Sequence, residues 1–108
     1  MRVVNRYKEK ETVYIGRGSI FGNPFVLGKD GNREEVINLY RHYIKTNLEA
    51  LKAIYDLPKN AVLGCFCYPK PCHGDVIIEL YNNYWKIKWE EFVYFVKKIY
   101  GGRQQKNE

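Results

Sequence analysis

Cysteine is scarce in this chain, and the three present, Cys65, Cys67 and Cys72, are crowded into one short segment. An odd, clustered set does not make a disulfide framework, so a packed core must hold the fold. Long apolar runs are absent too. None approaches the roughly 20 residues that span a bilayer, which argues against an integral membrane protein. The opening segment MRVVNRYKEK lacks the apolar stretch of a secretory signal. These absences together predict a cytoplasmic protein with reduced thiols. Acidic residues are in the minority, 12 against 18 Lys and Arg, for a net charge of +6. That excess suits a partner carrying phosphate, and it equally suits plain solubility, so charge alone does not choose. Internal repeats are also lacking.

What is present is enough for one core. The 108 residues are 45% hydrophobic and 16% aromatic, with 10 Tyr, which excludes disorder for most of the chain and suits a single domain. Val3-Val4 and Thr12–Ile15 are short β-branched or aromatic runs that read as strands, separated by the charged turn Lys8-Glu9-Lys10-Glu11. Asn32 is a good N-cap with Glu35 three residues on, and Val36, Ile37, Tyr40, Tyr43, Ile44 and Leu48 then recur at helical spacing. A second short helix fits residues 49–56, ended by Asp56-Leu57-Pro58. The run Ala61–Cys67 is apolar on both faces and suits a buried central strand. A further helix runs through Val76, Ile77, Leu80, Tyr81 and Tyr84, and another over Lys88–Tyr100. The expectation is one compact α/β domain over residues 1–100, a small mixed sheet packed by three to four helices, with a loose polar tail at 101–108.

Two segments do not read as scaffold. The loop Tyr14-Ile15-Gly16-Arg17-Gly18-Ser19, continuing through Phe21 to Gly22-Asn23-Pro24, follows a strand and is rich in glycine. Its backbone suits close approach to a ligand, Arg17 supplies a planar cation for phosphate, and Ser19 and Asn23 add neutral hydrogen-bonding groups. It has neither the Lys-Ser/Thr of a Walker loop nor the glycine spacing of a dinucleotide fingerprint. Arg33, at the start of a helix where a cation opposes the dipole, is a candidate second anion ligand beside Arg17.

The other segment is Cys65-x-Cys67-x4-Cys72-His73-Gly74-Asp75. Cys72 and His73 stand just before a helix, where the first amides favour an anion. Three readings compete. Cys65, Cys67, Cys72 and His73 have the chemistry of zinc ligands, but their compact spacing departs from the two separated pairs usual in zinc sites. Cys72 is a candidate nucleophile, with His73 as proton carrier and Asp75 beside it. Otherwise Cys65 and Cys67 are small buried apolar residues while His73 and Asp75 shape the helix start. The last reading leads for Cys65 and Cys67, so no metal or other cofactor is expected. Trp85 and Trp89, near Lys86 and Lys88, have the composition of a base-stacking surface, but their helical spacing favours core.

Val3-Val4-Asn5, Tyr14–Ser19, Gly22-Asn23-Pro24-Phe25 and Leu63-Gly64-Cys65-x-Cys67-x-Pro69-x-Pro71-Cys72-His73-Gly74-Asp75 together resemble the family called domain of unknown function 4326. The resemblance covers roughly residues 2–81, in the same order. It implies a small phage or bacterial domain, hence the host cytoplasm if phage-encoded, and no catalytic residues to carry over. Residues and resemblance together lead to one expectation. The protein binds and sequesters a phosphorylated nucleotide-like small molecule, for example a host immune signal, using Tyr14, Gly16, Arg17, Gly18, Ser19, Phe21, Asn23, Arg33 and His73. The alternatives are a nucleotide- or nucleoside-processing enzyme using Cys72, His73 and Asp75, and a nucleic-acid-binding module. Self-association stays open.

Overall fold

The computed structural model describes residues 1–84 together with Glu90, Glu91, Tyr94 and Lys98. The Trp85 and Trp89 pair and the 101–108 tail lie outside the described residues, as does most of the expected 88–100 helix. Glu90, Glu91, Tyr94 and Lys98 of that stretch are helical. The elements run β1 (Arg2–Asn5), β2 (Val13–Tyr14), α1 (Arg33–Lys45), α2 (Leu48–Tyr55), β3 (Val62–Cys65) and α3 (His73–Tyr84). The last strand in sequence is central: the sheet order is β1-β3-β2. Leu63 pairs with Val3 on one side and Val13 on the other, and both pairings are parallel. The α/β architecture expected from sequence is therefore what the chain adopts, with a parallel rather than mixed sheet among the described residues. The physical reason lies in residues 6–12. They do not fold β2 back against β1 as a hairpin but return the chain so that β3 inserts between them.

Central placement explains the composition of β3. Leu63, Gly64 and Cys65 are all buried, as a strand covered on both faces and both edges requires. Val3, Ile15 and Leu63 meet Tyr40 and Ile44 of α1, Leu51 and Ile54 of α2, and Val76, Ile77 and Leu80 of α3 in one core. The apolar stripe of α1 is the expected one, with Val36, Tyr40 and Ile44 buried. Its first turn carries the expected capping box: Glu35 N–H donates to Asn32 Oδ1 at 2.9 Å, and Asn32 N–H donates to Glu35 Oε1 at 2.8 Å. The short helix at 48–55 is likewise capped, by Asn47 accepting from Ala50 N–H at 3.2 Å. Among the described residues no helix is long and apolar enough to cross a membrane.

Candidate functional site

All three strands of a parallel sheet point the same way, so the loops leaving β2 and β3 emerge at one edge. Ligand sites of open α/β sheets form at that carboxyl edge. The loop after β2 is built on its own hydrogen bonds. Ser19 Oγ donates to Gly16 O at 2.8 Å, Gly22 N–H to Ser19 O at 3.0 Å, and Tyr14 Oη to Arg17 O at 3.1 Å. Gly18 takes φ +88°, the left-handed region that a side chain disfavours. Farther on, Asn23 Nδ2 donates to Val36 O at 3.1 Å while its Oδ1 accepts from Phe25 N–H at 3.0 Å, tying the loop to α1. The buried Tyr40 hydroxyl adds a second tie, donating to Phe21 O at 2.7 Å.

The loop after β3 passes through the cis Tyr68-Pro69 bond and enters α3. That helix begins at His73, three residues earlier than its apolar spacing alone indicates, so Cys72 stands at the capping position. Gly74 lets the first turn press onto the sheet. A Cβ there would lie 2.7 Å from Val3 Cγ2 and 2.9 Å from Ile15 Cδ1. His73 is drawn in with it. Its ring is 8% exposed and packs edge-on against Tyr40, with centroids 5.0 Å apart. Nε2 lies 2.6 Å from Ile15 O, and a carbonyl only accepts, so Nε2 carries the proton and donates. Burial pushes the His73 pKa below its ordinary 6.5, and a neutral ring keeps Nδ1 as its lone-pair side.

The two flanking cysteines meet. Cys65 Sγ and Cys72 Sγ are 3.4 Å apart, in buried positions. Cys67 N–H points at Cys65 Sγ and Gly74 N–H at Cys72 Sγ, each at 3.4 Å. Cys65 is the more acidic partner: the Cys72 hydrogen bond and the amides of Cys67 and Tyr68 outweigh its burial. The same bond to Cys65, together with burial, raises Cys72 despite the Gly74 amide. The helix start is less available to an external anion than its sequence suggests, because Cys72 N–H already faces Asp75 Oδ2 at 3.3 Å.

Between these loops and α1 lies a cavity of about 190 Å³. Phe25, Leu27, Ile37, Phe66 and Pro71 give it apolar walls, while Val36, Cys65, Cys72 and His73 are its buried lining. Among the described residues its only formally charged lining residues are Arg17 and Arg33, and no carboxylate lines it. Arg33 is anchored, Nη1 donating to Pro71 O at 3.1 Å. The exposed Arg17 guanidinium makes no hydrogen bond or ion pair among the described residues. Among the described residues no three of His, Cys, Asp and Glu converge in a way that holds a metal ion.

Of the candidates expected from sequence, the structure brings Gly16, Arg17, Asn23, Arg33, Cys65, Cys67, Cys72 and His73 to this cavity. Tyr14, Gly18, Ser19, Phe21 and Asp75 are not among its lining. The ring of Tyr14 faces the Arg6 guanidinium, 4.6 Å from its centroid. Phe21 is core, and Asp75 is exposed on α3. Cys72 pairs with Cys65, while His73 bonds to Ile15, so Cys72, His73 and Asp75 do not form a relay. Phe25, Leu27, Ile37 and Phe66 went unnoticed as cavity residues. The available signal was an aromatic residue directly after Asn23-Pro24 and another between two cysteines at a strand end.

Fold and site thus define a small parallel α/β domain with an arginine-flanked cavity at the carboxyl edge of its sheet. Residues 2–83 match the family described as domain of unknown function (DUF4326), and the chain belongs to it. It is similar to an uncharacterised 12.4 kDa protein in the nrdA-td intergenic region of enterobacteria phage T4, with 43% identity over 90 residues, covering 79% of this chain and 81% of that one. No solved structure matches the chain.

Proposed function

We propose that this protein binds a small phosphorylated, nucleotide-like molecule in the cavity and holds it without turnover. One observation carries the reading: two guanidinium groups flank a largely apolar cavity that no carboxylate of the described residues lines. Such a site is complementary to an anion with an apolar or aromatic part. The Arg17 guanidinium, which has no hydrogen-bond or ion-pair partner among the described residues, is placed to meet phosphate, while Arg33 is already oriented by Pro71 O. The aromatic rings that line the cavity are Phe25 and Phe66, not Tyr14 and Phe21, and Phe66 also meets Tyr7 and the Arg6 guanidinium. At about 190 Å³ the cavity is smaller than the ~300 Å³ where ordinary ligand sites begin. It therefore takes one end of a nucleotide and leaves the rest over the exposed side of Phe66. A host signalling nucleotide is the ligand class this reading favours. Enzymatic use of Cys72, His73 and Asp75 has less support, because each of the three is engaged with a different neighbour.

Titration calorimetry with nucleoside mono- and diphosphates, ADP-ribose and a cyclic dinucleotide tests the reading. At least one should bind and be recovered intact after heat denaturation. Arg17→Ala removes a charge-assisted contact worth about 1.5–3 kcal/mol, so affinity should fall roughly tenfold to hundredfold. Melting temperature is followed in parallel to separate lost binding from lost fold. Equal affinity in a folded Arg17→Ala protein, or recovery of a cleaved nucleotide, would sink the proposal.

A further inference from the structure

The thiol pair at the inner end of the cavity is unused by ligand binding, and its geometry points to a chemistry of its own. We infer that Cys65 and Cys72 form a peroxide-reactive dithiol that closes reversibly to a disulfide, joining the end of β3 to the cap of α3.

Three observations carry this. The sulfurs lie 3.4 Å apart, and bringing them to the ~2.05 Å of a disulfide requires each to move by only about 0.7 Å. The backbone at both ends is tied down, so the approach is a fixed feature of the fold. Arg6 N–H donates to Cys65 O at 2.9 Å, Asp75 N–H donates to Cys72 O at 3.1 Å, and Asn5 Nδ2 holds the intervening loop at Tyr68 O, 2.9 Å away. Finally, although only 2% and 4% exposed, both residues line the cavity. Its volume of about 190 Å³ is several times the ~30 Å³ that a water molecule occupies in the liquid, so a hydroperoxide as small as hydrogen peroxide has room to enter.

The arrangement also separates the two roles that oxidation needs. Either sulfur can donate across the contact, and the Cys67 and Tyr68 amides beside Cys65, against the single Gly74 amide at Cys72, favour the thiolate at Cys65 with the proton on Cys72. The Cys65 thiolate attacks one peroxide oxygen, and the O–O bond breaks. The departing hydroxide takes a proton from solvent and leaves as water, with Cys65 now a sulfenic acid. Cys72 Sγ then attacks Cys65 Sγ, and the S–O bond breaks. The second hydroxide leaves as water with the Cys72 proton. The pair of sulfurs loses two electrons and the peroxide gains them. An added dithiol reverses the step by exchange. Cys67, half-buried at the same cavity, is the third thiol and stays outside the bond.

The test uses the reduced full chain, a small excess of hydrogen peroxide, quenching with N-ethylmaleimide under denaturing conditions, and intact-mass measurement. Alkylation should drop from all three cysteines to one, with loss of two hydrogens, and dithiothreitol should restore all three. Cys67→Ser should still lose the two hydrogens and take up no label. Cys72→Ser should stop at a sulfenic acid that dimedone traps on Cys65. Three labelled cysteines after peroxide, a disulfide that needs Cys67, or oxidation of wild type to sulfinic acid without a disulfide would each overturn the inference. Where a variant does not fold, peptide mapping of the oxidised wild type decides, because only a Cys65–Cys72 cross-link leaves the label on Cys67.

Discussion

Gly74→Ala is a substitution for which helix propensity and packing predict opposite signs. Gly74 lies in the first turn of a 12-residue helix, where exchanging Gly for Ala lowers backbone entropy cost and stabilises by roughly 0.5–1 kcal/mol. Against that, the added methyl would sit 2.7 Å from Val3 Cγ2 and 2.9 Å from Ile15 Cδ1. Ile15 can turn its terminal methyl aside, but Val3 is β-branched, stiff at χ1 and fixed on the strand paired with β3. Relief therefore requires α3 to back away from the sheet by several tenths of an ångström. Overpacking of this kind costs about 1–3 kcal/mol, leaving a net loss centred on about 1 kcal/mol and a melting temperature lower by on the order of 5–10 °C. Calorimetric melting of wild type, Gly74→Ala, Val3→Ala and the double variant measures it. Trimming Val3 should recover part of the Gly74→Ala loss, so the double variant should melt higher than the summed single effects predict. A Gly74→Ala protein that melts at or above wild type would refute the reasoning and show that propensity outweighs contact here. The outcome bears on the site as well, since backing α3 away carries Cys72 and His73 with it.

Two further outcomes are expected. His73 is held neutral by burial, so its folded pKa lies below the 6.5 of the unfolded chain. Its contribution is full above that value and is lost as pH falls through the folded pKa. Melting curves across pH should show wild type losing stability below about pH 6.5 relative to His73→Gln, whose amide still donates to Ile15 O; parallel curves would count against the buried neutral ring. Tyr40→Phe keeps the aromatic packing but leaves Phe21 O without its 2.7 Å donor, a loss of about 1–3 kcal/mol readable by urea titration. An unchanged midpoint would mean that water replaces the hydroxyl.

Local structure was legible in residues close along the chain. The Asn32 capping box and the stripe Val36, Tyr40 and Ile44 depend on residues close in the chain and form as expected, while the apolar run Ala61–Cys67 becomes a strand only over Val62–Cys65, with Phe66 exposed beyond it. Family membership was legible for the same reason, since its blocks are short and contiguous. Arg17 and Asn23 stood out through residue type and their glycine-rich surroundings. Only the tertiary structure decided what lies beside what. Burial of Leu63 between Val3 and Val13 makes the sheet parallel and brings the loops after β2 and β3 to one edge. That single placement puts Arg17 and Arg33, 16 positions apart in sequence, on one cavity. It also sends His73 to Ile15 O across 58 positions, a bond that no spacing rule encodes. Phe66 shows the remaining gap. It lies one residue beyond β3, meets the Tyr7 ring with centroids 5.0 Å apart and the Arg6 guanidinium at 5.5 Å, and still lines the cavity, contacts across some 60 positions that no local pattern encodes.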